Sequence, residues 1–128
     1  MNSALATRDA HRPLLVVEDD HDVREAISEM LREEGYEVAE AENGVQALQW
    51  LRGNPDPCLV LLDLWMPHMT GDELHAHMQK DPRLAAVPVV VVTAAADGAF
   101  RARQIGARAY LRKPLNLDDL LSLVEKNC

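Results

Sequence analysis

The sequence is poor in cysteine, and it has no apolar run long enough to cross a bilayer. Its two cysteines, Cys58 and Cys128, match neither a disulfide framework nor a zinc spacing, so we expect unpaired thiols in a reducing cytoplasm. Cys58 lies in an apolar stretch and is expected to be a small core residue. Residues 1–12 lack the apolar core of a signal peptide and are expected to form a flexible tail. These absences disfavour a disulfide-stabilised secreted domain and a membrane protein.

Positive charge is also scarce. The formal net charge of -8 argues against direct nucleic-acid binding by this chain. No glycine-rich phosphate loop of either common pattern is present, which disfavours a nucleotide-binding enzyme. The exception is segment 98–113, which has no acidic residue and five basic ones: Arg101, Arg103, Arg108, Arg112 and Lys113. This segment is either a solvated basic face or a docking surface for an acidic partner.

The apolar residues that are present follow two alternating patterns. Short continuous runs such as LLVV at 14–17 predict strands covered on both faces, whereas apolar residues at helical spacing predict helices. Asp22, Asn43 and Thr70 are expected to cap the first three helices. Strands and helices alternate five times, which predicts one α/β domain over 13–128, with helices on both faces of a parallel sheet. The predicted strands are 14–17, 36–41, 58–63, 88–93 and 107–113.

Chemically active side chains follow four of these strands. Function in such sheets lies beyond the carboxyl ends of the strands. The first strand runs into Glu18, Asp19 and Asp20; the others end at Asp63, Thr93 and Lys113. Clustered carboxylates with open positions suit Mg2+, and a lysine and a hydroxyl suit phosphoryl oxygens. We therefore expect Glu18 and Asp19 to hold Mg2+ while Asp63 acts as a nucleophile that forms an aspartyl-phosphate.

Each of these residues also has an ordinary structural interpretation. Acids after the first strand can begin the next helix, Thr93 can bond within a turn, and Lys113 can be a solvated surface lysine. The histidines are expected to play no part in a metal site: His75 and His77 point to different sides of a helix, and His68 lies in a loop. Trp65 is either a lid over the site or packing for its loop. The joint occurrence at four strand ends favours the functional interpretation.

With these residues in place, the sequence resembles the receiver domain of two-component response regulators. The resemblance covers about residues 13–126 and rests on the order and spacing of several motifs. These are LLVVEDD, LVLLDLWMPHMTGDEL, VPVVVVTA, GARAYLRKP and a closing leucine-rich helix. The resemblance implies a CheY-like, flavodoxin-like (βα)5 fold with strand order 2-1-3-4-5.

The resemblance also implies roles for individual residues. Asp63 corresponds to the phosphoacceptor, and Glu18 and Asp19 to the acidic pair that binds Mg2+ with it. The backbone carbonyl of Trp65 corresponds to a further metal ligand. Thr93 and Tyr110 correspond to the switch pair, and Lys113 to the lysine of the site, followed by a cis peptide bond before Pro114.

The implied function is that of a signalling domain and not of an enzyme. A sensor histidine kinase or phosphotransfer protein would donate a phosphoryl group to Asp63 in a Mg2+-dependent step. The face formed by the fourth helix, the fifth strand and the fifth helix would then change and control a downstream output protein or domain. Binding to a membrane or to nucleic acid is not expected, and a homodimer is possible.

Two rival functions are weighed against this one. A phosphatase of the haloacid dehalogenase type also uses an aspartate nucleophile and Mg2+, but it needs a second aspartate two residues later, where this chain has Trp65. A receiver-like module that binds a partner without being phosphorylated would not need the complete acidic, threonine and lysine set. Trp65 and Ala95 are apolar at positions that tune phosphate lifetime in the family, so we do not expect an especially short-lived phosphorylated form.

Overall fold

The computed structural model describes residues 12–66 and 68–128. Most of the predicted tail, residues 1–11, lies outside these ranges. Arg12 is within them, and its guanidinium donates to the backbone carbonyls of Asp56 and Pro57, at 3.4 and 3.0 Å.

Five parallel strands form one sheet in the order β2-β1-β3-β4-β5, which confirms the predicted fold and strand order. The strands are β1 (Leu14–Val17), β2 (Val38–Ala41), β3 (Leu59–Leu62), β4 (Val89–Thr93) and β5 (Ala109–Arg112). The three central strands are buried along their whole length, as their continuous apolar runs predict. The second strand is at an edge of the sheet, as its alternating sequence predicts.

Five main helices connect and follow the strands. They are α1 (His21–Glu33), α2 (Gly44–Gly53), α3 (Gly71–Gln79), α4 (Gly98–Ile105) and α5 (Leu117–Asn127). A four-residue helix, Pro82–Ala85, was not predicted; Asp81 caps it and Pro82 occupies its first turn.

The core has two main layers, one on each face of the sheet. Successive strand side chains point to opposite faces, so Leu15 and Val17 belong to one layer while Leu14 and Val16 belong to the other. The first layer includes residues of α2 and α3, and the second includes residues of α1 and α5. Both layers hold the central strands rigidly, which fixes the positions of the residues at the strand ends.

Helix caps follow the prediction at two of three positions. Asn43 caps α2, and Thr70 forms a reciprocal capping box with Glu73 at the start of α3. The prediction for α1 was wrong: Asp20 caps it by accepting from the backbone N–H groups of Asp22 and Val23, and Asp22 lies in the first turn.

The prediction of unpaired thiols was also wrong. Cys58 and Cys128 form a disulfide, with Cα atoms 5.3 Å apart and a separation of 70 positions in the sequence. Cys58 is buried just before β3, as expected of a core residue, and Cys128 follows the last residue of α5. The disulfide therefore ties the end of α5 to the start of the central strand β3.

Candidate functional site

The carboxyl ends of the parallel strands meet at one edge of the sheet. Val17 of β1 pairs in register with Leu62 of β3, so the residues that follow them, Glu18 and Asp63, lie next to each other. On the other side, Thr93 of β4 pairs with Arg112 of β5, which places Lys113 at the same edge. The sheet therefore brings together the side chains that the sequence predicted to share a site.

Lys113 joins the acidic residues of two strands. Its Nζ donates to Glu18 Oε1 and, at 3.1 Å, to Asp63 Oδ2. Glu18 and Asp63 are almost fully buried, with 3% and 6% of their surface exposed. A cis peptide bond links Lys113 to Pro114, as the resemblance implies. The lysine thus partly compensates two carboxylates that are costly to keep charged away from water.

Burial and charge shift two pKa values within this group. Burial of Glu18, opposed by its hydrogen bond from Lys113, raises the pKa of Glu18 to about 7. Burial lowers the pKa of Lys113, but the bond to Glu18 and the charges of Asp63 and Glu18 outweigh this, so the pKa lies above its ordinary value. One cation faces two acids here, and a second cation would favour the ionised form of Glu18.

Three carboxylates converge closely enough to share a metal ion. Oxygen atoms of Glu18, Asp19 and Asp63 all lie within 4.8 Å of one another. Asp19 is exposed, so the cluster is open to solvent on one side. An oxygen-only, open and acidic set of donors fits Mg2+, which keeps several water ligands. Asp20 does not join the cluster because its side chain caps α1.

The second oxygen of Asp63 is held by the loop that follows β3. The backbone N–H of Trp65 donates to Asp63 Oδ1 at 3.1 Å. The indole of Trp65 is 61% exposed, and the Arg101 guanidinium lies over its ring at 5.0 Å from the centroid. Trp65 is thus neither a core residue nor an unattached lid: its ring is contacted by an arginine of α4.

Thr93 and Tyr110 lie on the α4 side of the site. Thr93 is fully buried, and its Oγ1 accepts from the backbone N–H of Ala95 at 3.3 Å. Tyr110 is half-buried and packs against a small cluster that includes Leu64 and Val91. Gly98, the first residue of α4, lies so close to both that a Cβ there would be 2.6 Å from Thr93 Cγ2 and 2.8 Å from Tyr110 Cε1.

The basic segment 98–113 does not form one continuous basic surface. Arg101 pairs with Asp72 of α3, Arg108 donates to Asn127 at 2.7 Å, and Lys113 belongs to the acidic site. Arg103 and Arg112 are exposed. Arg108 is exposed too, and its partner Asn127 carries no charge, so the docking interpretation rests on three of the five basic residues.

The histidines take no part in the acidic cluster found among residues 12–66 and 68–128. His68 is exposed with a backbone φ of 70°, and His75 contacts Gln79 at 3.2 Å on α3. Two other residues near the site were not predicted. Arg24 of α1 donates to the Glu18 carbonyl at 2.8 Å, and Arg101 contacts Trp65. Their sequence neighbourhoods carry no signal for these contacts, which depend on how helices pack on the sheet.

The fold and the strand-end residues define the class of CheY-like receiver domains. Among solved structures, the chain is similar to the response regulator protein TrrA from Thermotoga maritima in complex with Mg2+–BeF. The TM-score is 0.81 and the identity 32%, covering 91% of this chain and 99% of that one. A structure of a putative response regulator from Chloroflexus aurantiacus J-10-fl gives a TM-score of 0.84 at 30% identity, covering 90% of this chain and 95% of that one.

The sequence model for the response regulator receiver domain matches residues 14–125, so the chain belongs to this family. It is 38% identical over 115 residues to the transcriptional regulatory protein PdtaR of Mycobacterium tuberculosis (strain ATCC 25618 / H37Rv), covering 89% of this chain and 55% of that protein. It is 32% identical to PhoB of Escherichia coli (strain K12), covering 89% and 50%. The chain thus spans about half the length of these two relatives. It is a receiver domain, a signalling domain of two-component systems.

Proposed function

We propose that Asp63 is the phosphoacceptor of this receiver domain and that a sensor histidine kinase or a phosphotransfer protein is the donor. The observation that carries the proposal is the contact of Lys113 with Asp63 and Glu18 at the carboxyl edge of the sheet. Two buried acids beside one lysine are costly to keep charged, so stability alone does not account for this arrangement. A lysine that neutralises phosphoryl oxygens must lie within reach of the acceptor carboxylate.

In the proposed transfer, a carboxylate oxygen of Asp63 attacks the phosphorus of a phosphohistidine. The new P–O bond forms as the P–N bond breaks, and the histidine nitrogen keeps the electron pair of that bond and takes up a proton. Lys113 then faces the added negative charge. The backbone N–H of Trp65 orients the acceptor carboxylate through Asp63 Oδ1. The contribution of these groups is mainly positioning and charge neutralisation.

Glu18, Asp19 and Asp63 would hold Mg2+, and the Trp65 carbonyl is proposed as a further ligand. When bound, the ion neutralises charge on the transferring phosphoryl oxygens. The donor set supports this assignment, since three carboxylate oxygens lie within 4.8 Å and Asp19 leaves one side open.

The switch is proposed to act through Thr93 and Tyr110. Thr93 would bond a phosphoryl oxygen, and Tyr110 would move further inward, changing the face formed by α4, β5 and α5. Gly98 supports this coupling, because the start of α4 packs directly on both side chains. The exposed Arg103 and Arg112 lie on this face, where a downstream output protein or domain would dock.

The remaining functional assignments are proposals of the same kind. We propose a cytoplasmic domain that binds neither membranes nor nucleic acid by itself, turns over no substrate, and can form a homodimer. Among the described residues, no helix is long and apolar enough to span a membrane. The disulfide removes the argument for a reducing compartment that the scarcity of cysteine suggested. The exposed indole at position 65 cannot supply the acid of a haloacid dehalogenase phosphatase.

Incubation with acetyl phosphate and Mg2+, followed by intact mass measurement, tests the proposal. We expect one added phosphoryl group on the protein and none on Asp63→Asn. Asp81→Asn is the control, because Asp81 caps the short helix Pro82–Ala85 away from the strand ends and should not affect phosphorylation. No added mass with Mg2+ present would favour a module that binds a partner without phosphorylation. Steady release of phosphate from a small phosphomonoester would favour a phosphatase.

A further inference from the structure

Three side chains from separate segments form a chain of contacts beside the site, which we call the Trp65 clasp: Asp72, Arg101 and Trp65. The Arg101 guanidinium donates to Asp72 Oδ2 and lies over the Trp65 ring, 5.0 Å from its centroid. This distance is within the range of attractive cation–π contacts. Asp72 belongs to the first turn of α3, Arg101 to α4, and Trp65 to the loop after β3.

The Arg101–Asp72 pair differs from an ordinary surface ion pair. Only 17% of the Arg101 side chain is exposed, although Arg101 holds an indole that is itself 61% exposed. The other oxygen of Asp72, Oδ1, is buried and has no hydrogen-bond partner among the residues that the structure describes. Solvent screening is therefore reduced at the Arg101 end of the pair, whereas 40% of the Asp72 side chain is exposed to water.

The clasp reaches the acceptor through the backbone. The backbone N–H of Trp65 donates to Asp63 Oδ1. Because the indole is attached to the same residue, holding the indole in place also limits the movement of the backbone amide that orients the Asp63 carboxylate. Arg101 lies one turn after Gly98, which packs on Thr93 and Tyr110. The same guanidinium thus connects the loop that carries the acceptor to the helix that contacts the switch pair.

We propose that Arg101 is a positioning residue for phosphoryl transfer: held by Asp72, it fixes the Trp65 indole and thereby the Asp63 carboxylate, and it couples this loop to α4. The inference rests on the proposed phosphorylation of Asp63. Its first consequence, an ordered Trp65 ring, requires neither phosphate nor metal and can be measured separately.

Fluorescence quenching by acrylamide tests the clasp directly. Trp50→Phe makes Trp65 the sole tryptophan. In this background, Arg101→Met should raise the quenching constant of Trp65, by less than about twofold because 61% of the residue is already exposed. Arg101→Lys should restore part of the protection. Arg52→Met is the control, since Arg52 is an exposed arginine in the last turn of α2 and should leave quenching unchanged.

The positioning role is tested by Mg2+ titration of Trp65 fluorescence and by the rate of phosphorylation with acetyl phosphate. Arg101→Met should weaken Mg2+ binding and slow phosphorylation by roughly two- to fivefold each, while Arg52→Met matches the parent. Asp72→Asn should also weaken Mg2+ binding and slow phosphorylation. It provides a second variant if Arg101→Met does not fold. Thermal melts identify any variant that is simply unfolded.

The outcomes separate the two proposals. Unchanged quenching in Arg101→Met would overturn the clasp. Raised quenching with unchanged Mg2+ affinity and phosphorylation rate would overturn the positioning role. A parent protein that takes no phosphate would overturn the proposed function, and the quenching and Mg2+ measurements would still decide whether Arg101 fixes the loop.

Discussion

At the scale of single residues, Gly71 packs so tightly against the backbone of Asp63 and Leu64 that no side chain fits there. A Cβ at this position would lie 2.7 Å from the Asp63 carbonyl oxygen and 2.9 Å from Leu64 Cα. Both are backbone atoms, so neither can rotate away. We expect Gly71→Ala to displace the loop, lower the free energy of unfolding by about 1–3 kcal/mol, and slow phosphorylation of Asp63. Urea unfolding and the acetyl phosphate reaction measure these two effects.

Gly53→Ala is the matched control for this substitution. Gly53 is the last residue of α2, and an added Cβ would meet nothing within 4 Å. Alanine restricts the unfolded chain, so this variant should be unchanged or more stable by about 0.4–1 kcal/mol. If Gly71→Ala proves as stable as Gly53→Ala, the loop has room that the structure does not show, and Gly71 is not needed to position Asp63.

At the scale of the elements, the start of α3 depends on a reciprocal cap. The Thr70 hydroxyl accepts from the Glu73 N–H at 3.2 Å, and the Glu73 carboxylate accepts from the Thr70 N–H at 3.0 Å. We expect Thr70→Ala to lower the free energy of unfolding by about 1 kcal/mol. Asp97→Ala should cost less, because Asp97 precedes α4 without a side-chain capping bond. Urea unfolding of both variants at neutral pH provides the comparison.

The same cap predicts a dependence on pH. The backbone and side-chain bonds of Thr70 lower the pKa of Glu73. The stabilisation is therefore present above the unfolded pKa and is lost as pH falls through the folded pKa. Thr70→Ala removes the side-chain bond but keeps the backbone N–H that donates to Glu73, so the Glu73 pKa should rise part of the way toward its ordinary value. The stability difference from the parent should shrink in acid. NMR titration measures the pKa; equal values in the two proteins would contradict the prediction.

Most elements could be predicted because their signals are local. Continuous valine and leucine runs identify strands covered on both faces, and the cap at Asn43 is set by residues within one turn. The α1 cap was assigned to the wrong residue because three aspartates, Asp19, Asp20 and Asp22, lie around the start of the helix. Only the structure shows that Asp19 joins the acidic cluster while Asp20 caps.

At the scale of the whole molecule, the site was predictable for a topological reason. Parallel strands place their carboxyl ends at one edge, so Asp63 and Lys113 could be brought together from the strand assignments and the family resemblance. The Arg101–Trp65 contact and the Cys58–Cys128 pair were not predictable in this way. Both depend on where helices pack relative to the sheet, and the cysteines are 70 positions apart with no motif linking them.

The disulfide is expected to contribute strongly to global stability. It closes a loop of 70 positions between the start of β3 and the end of α5, which reduces the freedom of the unfolded chain. In the chain-entropy treatment a loop of this size contributes about 4 kcal/mol. For a domain of 128 residues, reduction should therefore lower Tm by roughly 10–15 °C. Calorimetry of the oxidised and reduced protein measures the difference.

Cys128→Ser distinguishes loss of the disulfide from general effects of the reductant. This variant should melt near the reduced parent, and a reductant should not lower its Tm further, because no second pair of cysteines exists in the sequence. Since Cys58 and Cys128 lie at the start of β3 and the end of α5, away from the carboxyl edge, phosphorylation at low temperature should be unaffected. Equal Tm values for the oxidised and reduced parent, with the disulfide verified by mass, would show that packing of α5 alone holds this end of the domain.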